Sequence, residues 1–157
     1  MPENLTALMP AGELMQRALE AVNTFFWAGA TGETTFFTRT FNPRVMLTVL
    51  TYSYATGVFS SAAIAAGCER DETLRYLSLG ARFADDRIRL FRGQNMELVK
   101  RCLAFVIRQA AGSASSGADL YGRKQVTALL NGFRNPTSGQ QEAERRIDYA
   151  IQLDREL

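Results

Sequence analysis

The sequence predicts an all-α fold, a compact multi-helix bundle that contains a helix-turn-helix-like set of short helices. Apolar residues recur at three- and four-residue spacing along most of the chain, which is the periodicity of amphipathic helices. Capping residues and glycines divide these segments at short intervals. The run Thr34–Thr38 has β-propensity, but no second strand pattern is present to pair with it, and we expect a packed extended segment there.

Two long helices are predicted in the first 57 residues. Glu13–Trp27 carries Leu14, Ala18, Val22 and other apolar residues at helical spacing. The strongest helix begins at Asn42-Pro43, a capping side chain followed by proline at the first helical position, and ends at Gly57. Its apolar side chains point to nearly every side, which indicates a central, buried helix.

Three short helices are predicted next, each with its own start and stop signal. They run from the Ser60-Ser61 pair to Gly67, from Asp71 to Gly80, and from Asp85 or Asp86 to Gly93. Short helices joined by tight glycine turns are typical of a helix-turn-helix.

The remaining chain predicts one more core helix and a separate C-terminal unit. Asn95 caps a helix that ends near Ala111, so residues 1–111 form the main domain. The glycine- and serine-rich residues 112–119 are predicted to be a flexible linker. Residues 120–157 are predicted to form a helical hairpin or appendage, with a short helix ending near Gly132 and an amphipathic helix over Ser138–Leu157.

The composition argues against most catalytic chemistries. The chain has no histidine, which excludes Ser-His-Asp and Cys-His catalysis and histidine-dependent zinc sites. Cys68 and Cys102 lie far apart and are expected to be buried thiols. The N-terminus does not resemble a secretory signal, and no segment reads as a confident membrane span. We expect a soluble cytoplasmic protein with no metal, cofactor, small-molecule substrate or membrane partner.

Positive charge is concentrated in the middle of the chain. Residues 70–108 hold nine basic and five acidic side chains, a net charge of +4, and eight of the nine are arginine. Arginine suits phosphate and guanine contacts because its planar fork donates two hydrogen bonds at once. Ordinary surface solvation by cations explains the same excess equally well on charge alone.

The third short helix is the candidate recognition helix. Ile88 and Phe91 mark its buried side, and we place Arg89 and Arg92 on the outer side with Arg87 on the flank. This arrangement suits a helix laid in a major groove. The alternative is a surface ion pair, since Asp85 lies four residues before Arg89.

Other side chains near this segment have simpler explanations than chemistry. The adjacent acids Asp85 and Asp86 are explained as helix N-terminal residues favoured by the helix dipole. Tyr52, Tyr54 and Tyr76 could stack on bases, but their spacing favours core packing.

The order of residues across 42–108 resembles the N-terminal domain of InsH-like insertion-sequence transposases. The resemblance is carried by a Pro-Arg start, a leucine-rich helix, a Tyr-x-x-Gly-x-x-Ser-Ser stretch and the segments that follow. The matching pieces are Asn42-Pro43-Arg44, Met46-Leu47, Tyr52-x-Tyr54-x-x-Gly57-Val58-x-Ser60-Ser61, Ile64, Cys68-Glu69-Arg70, Leu74-Arg75-Tyr76-Leu77-Ser78 and Ile88-x-x-Phe91-Arg92.

The resemblance implies a helical domain that docks on double-stranded DNA such as the terminal inverted repeats of a mobile element. Nothing in the sequence matches the acidic-triad nuclease domain of the complete family, so we expect a non-catalytic chain. The expected contacts to bases or phosphates are Arg87, Arg89 and Arg92, and the expected positioning contacts are Arg44, Arg75, Lys100 and Arg101.

The alternative function is protein interaction, in which a transposase-derived fragment serves dimerisation or regulation. Its supporting feature is the apolar stripe of the last helix, which could pair with a partner helix such as that of a second copy. The DNA-binding hypothesis further expects alanine at position 89 or 92 to weaken DNA binding with little change in melting temperature.

Overall fold

Side-chain caps begin several helices at the positions where the sequence predicts them. Asn42 accepts hydrogen bonds through Oδ1 from the backbone N–H of Arg44 at 3.0 Å and of Val45 at 3.4 Å. The Ser60 hydroxyl accepts from the N–H of Ala63 at 3.1 Å in the same way. Each cap satisfies backbone donors that have no partner inside the helix, and so it fixes where the helix starts.

The computed structural model describes residues 2–29, 42–117 and 136–156. Over these residues the chain forms a short 3-10 helix, Leu5–Ala7, seven α-helices and no strand, which confirms the all-α prediction. The α-helices are α1 (Ala11–Gly29), α2 (Pro43–Ala55), α3 (Ser61–Arg70), α4 (Glu72–Leu77), α5 (Asp85–Gln94), α6 (Met96–Gly117) and α7 (Pro136–Glu156). The extended segment predicted for residues 34–38 and the short helix predicted near Gly132 lie outside the described ranges.

Helix α6 is the centre of the bundle and packs most extensively against α1 and α7, with α2 as a third neighbour. Val99, Leu103, Val106 and Ile107 on α6 are fully buried. Cys68 and Cys102 are buried free thiols, as predicted, and burial raises the pKa of Cys102 to about 12. No helix in the described part of the chain is both long and apolar enough to span a membrane.

The prediction that the second long helix is central and buried is confirmed. Every residue of α2 from Met46 to Ala55 is buried, including five that carry hydroxyls. The Thr51 hydroxyl donates to the carbonyl of Leu47 at 2.8 Å, so this polar group is satisfied inside the helix itself.

The C-terminal helix packs into the core. Of the two alternatives predicted for residues 120–157, a helical hairpin or an appendage, an appendage does not describe this helix, and the first half of a hairpin would lie outside the described ranges. Ala143, Ile147 and Ala150 form the apolar stripe of α7, and all three are buried within this chain. The stripe that supported a dimerisation module is therefore already covered. Glycine makes the close packing possible: a Cβ atom at Gly139 would lie 3.0 Å from Cγ of Arg108 on α6.

The predicted flexible linker is also wrong for the residues that the structure describes. Residues 112–117 continue α6 as helix up to Gly117. The glycine and serine residues there have modest helix propensity, but α6 is already long and well packed before it reaches them.

A fully buried arginine anchors α7 to the rest of the bundle. Arg146 donates through Nη1 to the Tyr54 carbonyl at 2.7 Å and through Nε to the Glu142 carboxylate at 2.9 Å. It also donates to the carbonyls of Ala55 and Glu3. Two of these carbonyls belong to the last turn of α2, where helix geometry leaves carbonyls without partners. Arg146 thus joins α7, the end of α2 and the N-terminal segment.

Replacement of Arg146 by methionine is expected to lower the free energy of unfolding by about 3–5 kcal/mol, because it leaves buried acceptors without a donor. Urea unfolding measures the change. The neighbouring Arg145→Met is the matched control, because this exposed side chain also pairs with Glu142 and its loss should cost less than about 1 kcal/mol. Equal effects of the two substitutions would contradict the anchoring role.

Candidate nucleic-acid interface

The three short helices α3, α4 and α5 form one packed unit in which α3 contacts both of the others. Asp71 ends α3 and caps α4 by accepting through Oδ1 from the N–H of Leu74 at 3.0 Å. The prediction that Gly67 ends α3 is wrong, since the helix continues to Arg70. A Cβ atom at Gly67 would lie 2.5 Å from Cδ1 of Leu74, so glycine serves the close packing of α4 on α3.

Helix α5 begins at Asp85 and ends at Gln94, close to the predicted bounds. Asp85 and Asp86 lie in its first turn, which confirms their assignment as helix N-terminal acids. No group of three or more potential metal ligands comes together among the described residues. Ile88 and Phe91 are buried, as predicted.

Arg92 is buried, and the prediction that it lies on the outer side of α5 is wrong. Its side chain is 6 % exposed. The physical reason is helical periodicity: residues four apart are separated by only about 40° around the axis, so Arg92 lies on the same side as Ile88. A ligand that binds at the surface of α5 therefore cannot contact the Arg92 guanidinium.

Buried partners from distant parts of the chain compensate the charge of Arg92. Its Nη1 donates to the Asp154 carboxylate on α7 at 2.8 Å and to the Tyr54 hydroxyl on α2 at 3.2 Å. Asp154 accepts in turn from the backbone N–H of Ser61 at 2.8 Å and from the Ser61 hydroxyl at 2.7 Å. The Asp154 carboxylate therefore links α7 to α5 and to the first residue of α3.

The protonation states in this cluster follow from burial and hydrogen bonding. Burial alone would raise the pKa of Asp154, but the two Ser61 donors and the Arg92 guanidinium outweigh it and hold that pKa below its ordinary value. Burial also opposes the charge on Arg92, yet Tyr54 and Asp154 together raise its pKa. Both groups are therefore charged at neutral pH.

The other two arginines of α5 are exposed but differ in their partners. Arg89 donates to the Asp85 carboxylate at 3.2 Å, which is the surface ion pair that the sequence offered as an alternative. Arg87 is exposed and takes part in no ion pair among the described residues. Two residues correspond to about 200° of rotation, so Arg87 and Arg89 flank the outer side of α5 from opposite directions.

The four residues predicted to make positioning contacts fall into two groups. Arg75 and Arg101 are exposed, and no ion pair within the described ranges includes either. Arg44 is half-buried and donates to Oδ1 of Asn23 at 2.6 Å. Lys100 is also half-buried, with Nζ 3.8 Å from carboxylates of Glu97 and Glu144. Arg44 and Lys100 thus already interact with polar side chains of this chain.

Sequence reasoning missed the exposed apolar residues of this unit. Leu79 and Leu90 are 76 % and 56 % exposed. Tyr52 and Tyr54 are buried as core packing predicts, but Tyr76 is 64 % exposed and contradicts that prediction. The outward position of Tyr76 follows from its neighbours on α4, since Leu74 and Leu77 occupy the buried side.

Comparison with family models, with curated proteins and with solved structures found no match.

The buried position of Arg92 changes the expected effect of substitution. Arg92→Ala should lower the free energy of unfolding by about 3 kcal/mol or more, because Asp154 would remain buried without its cation. Arg89→Ala removes an exposed pair on the same helix and should cost no more than about 0.5 kcal/mol. Chemical unfolding of both variants checks the difference, and a stable Arg92→Ala chain would refute the buried pair.

The low pKa of Asp154 also predicts how acid destabilises the fold. An aspartate whose folded pKa is depressed contributes stability above its unfolded pKa of about 4, and this contribution is lost as the pH falls through the folded pKa. Wild type should therefore exceed Asp154→Asn in stability at pH 7, and the gap should close as the pH drops below about 4. Urea unfolding at pH 7, 5 and 3 measures it.

The control for this experiment is Asp148→Asn, on the exposed side of α7. This variant should follow the wild-type dependence on pH. A constant gap between wild type and Asp154→Asn at all three pH values would contradict the assignment.

Proposed function

We propose that this chain binds double-stranded DNA through the α3–α5 unit, as a recognition domain of the type that its sequence resembles in InsH-like transposases. Terminal inverted repeats are the corresponding target. The proposal assigns recognition and not strand cleavage to this chain. The single observation that supports it most is the outer side of α5, which is open to solvent and flanked on both edges by exposed arginines.

The geometry of α5 suits a helix lying along a major groove. Ten residues at 1.5 Å each give a rod of about 15 Å, and the groove is about 12 Å wide. Arg87 and Arg89 extend from opposite flanks, so each can reach the phosphates of a different strand. We therefore assign them backbone contacts, whereas the sequence alone left bases and phosphates open.

The line of α5 between these flanks would face the bases. It contains Leu90, which is 56 % exposed, and Gly93, where an added Cβ atom would meet nothing within 4 Å. Leucine at this position suits contact with a thymine methyl group, and glycine permits close approach of the helix backbone. Asp86 lies on the same line, and a carboxylate there suits the amino group of cytosine.

The charge available to DNA is smaller than the sequence total suggests. Asp154 neutralises Arg92 inside the fold, so the excess of residues 70–108 toward solvent falls from +4 to +3. Arg44 and Lys100 are held by neighbours in the chain and are left out of the proposal. The proposed phosphate contacts are Arg75, Arg87 and Arg89 of the α3–α5 unit, together with Arg101 of the adjoining helix α6.

The ion pair between Arg89 and Asp85 does not oppose this role. Both side chains are about half exposed, and such a pair on a helix surface contributes only about 0.3–0.5 kcal/mol. A phosphate can therefore replace Asp85 as the partner of Arg89 at small cost.

Salt dependence tests the proposal directly. A duplex is first enriched from a randomised library by the wild-type chain, and its dissociation constant is then measured by fluorescence anisotropy over a range of salt concentrations. Four phosphate contacts predict that log K falls with log salt at a slope of about −3.6. Arg87→Ala should reduce the slope by about 0.9 and leave the melting temperature unchanged.

Arg155→Ala is the matched control, since Arg155 is an exposed arginine on α7, outside the α3–α5 unit. It should bind DNA as wild type does. If no duplex is enriched, or if binding is insensitive to salt, the proposed function is refuted.

A further inference from the structure

The turn that ends α4 contains a leucine in a left-handed backbone conformation. The N–H of Gly80 donates to the carbonyl of Arg75 at 3.1 Å, and the N–H of Leu79 donates to the carbonyl of Tyr76 at 3.2 Å. This pair of bonds is a Schellman motif, with Leu79 in the position that glycine usually occupies. The φ angle of Leu79 is +56°, and among the described residues no other non-glycine residue has a positive φ.

The end of α2 provides a comparison within the same chain. There the N–H of Val58 donates to the carbonyl of Ser53 at 2.9 Å, and the left-handed position is filled by Gly57 with φ +88°. A leucine in this conformation is disfavoured by steric contact between Cβ and the backbone, by a factor of roughly 5 to 30 in the local equilibrium. The fold thus uses glycine at one such turn and leucine at the other.

Burial of the Leu79 side chain contributes little stability that could offset this unfavourable conformation. It is 76 % exposed, and Tyr76 in the preceding turn is 64 % exposed. These two are the most exposed large apolar side chains in the described part of the structure. Local strain that no burial offsets is typical of residues kept for a ligand.

The charge beside these side chains indicates which kind of ligand they meet. Arg75 precedes Tyr76 and is exposed, with no ion pair in the described ranges. Arg82 follows the turn; its side chain is 85 % exposed, and its Nε lies 3.9 Å from the exposed carboxylate of Glu69. An aromatic ring and an aliphatic tip placed between arginines complement the stacked bases and phosphates of nucleic acid.

We propose that the turn from Tyr76 to Leu79 enters the DNA, where Leu79 wedges against a base step and Tyr76 packs on an exposed base face. Arg75 holds the adjacent phosphate. This inference rests on the proposed function and adds a second contact element to α5. It requires no chemical step, only partial unstacking of one base step.

Leu79→Gly tests this role without putting the fold at risk. Glycine relieves the backbone, so the melting temperature should rise by roughly 2–4 °C. Affinity for the enriched duplex should nevertheless fall by about tenfold. The salt slope should stay unchanged, because the phosphate contacts remain. Tyr76→Ala should weaken binding by at least about fivefold, the lower end for a lost base stack.

Two further measurements complete the experiment. Gly12→Ala, at an open position in α1, should also stabilise the chain and should leave DNA binding unchanged. A 2-aminopurine scan along the duplex should show a fluorescence increase at one step with wild type and a smaller one with Leu79→Gly.

The outcomes separate the two proposals. If wild type binds no duplex, the proposed function fails. If wild type binds and both Leu79→Gly and Tyr76→Ala bind equally well, this inference fails and the proposed function stands. A fall in melting temperature for Leu79→Gly would overturn the premise. Loss of self-association in sedimentation, with DNA binding unchanged, would instead assign the turn to a second copy of the chain.

Discussion

The contact on which the rest of this structure depends is the insertion of charged side chains from α7 into the remaining bundle. Asp154 accepts hydrogen bonds from Arg92 of α5 and from the backbone N–H and hydroxyl of Ser61 at the start of α3, while Arg146 covers the end of α2. Removing charges from water is costly, and the cost is offset only when the hydrogen-bonding groups are satisfied together. These geometric demands fix α7 in one position and give the bundle a specific arrangement of its short helices.

This constraint also decides which surface the molecule presents. Because Asp154 holds Arg92 inward, the rotation of α5 about its axis is set, and Arg87 and Arg89 must lie on its flanks. The helix then has an outer line that is free of bulky cations. Arg92, which the sequence pattern places on the basic surface, thus lies inside the fold and determines how that surface is oriented.

The molecule departs from local preference in one exposed place. Most turns have the residue that their conformation favours, as Gly57 shows with φ +88°. Leu79 does not, and its side chain finds no cover within the described fold. Sequences are generally consistent between local propensity and global packing, so such an exception on an exposed turn is more informative than the arginines themselves.

The sequence by itself determined the helical class, the starts of α2, α3 and α5, and the buried character of α2. These features depend on groups within about four residues, such as the bonds between Asn42 and the next turn, and local spacing records them directly. The four-residue spacing between Ile88 and Arg92 also indicates that both lie on the same side of α5. Only the tertiary structure decided that α7 belongs to the core and that Arg92 is neutralised, because its partner Asp154 lies 62 residues away. No local pattern specifies which distant carboxylate will meet a given cation, since that depends on how the helices pack.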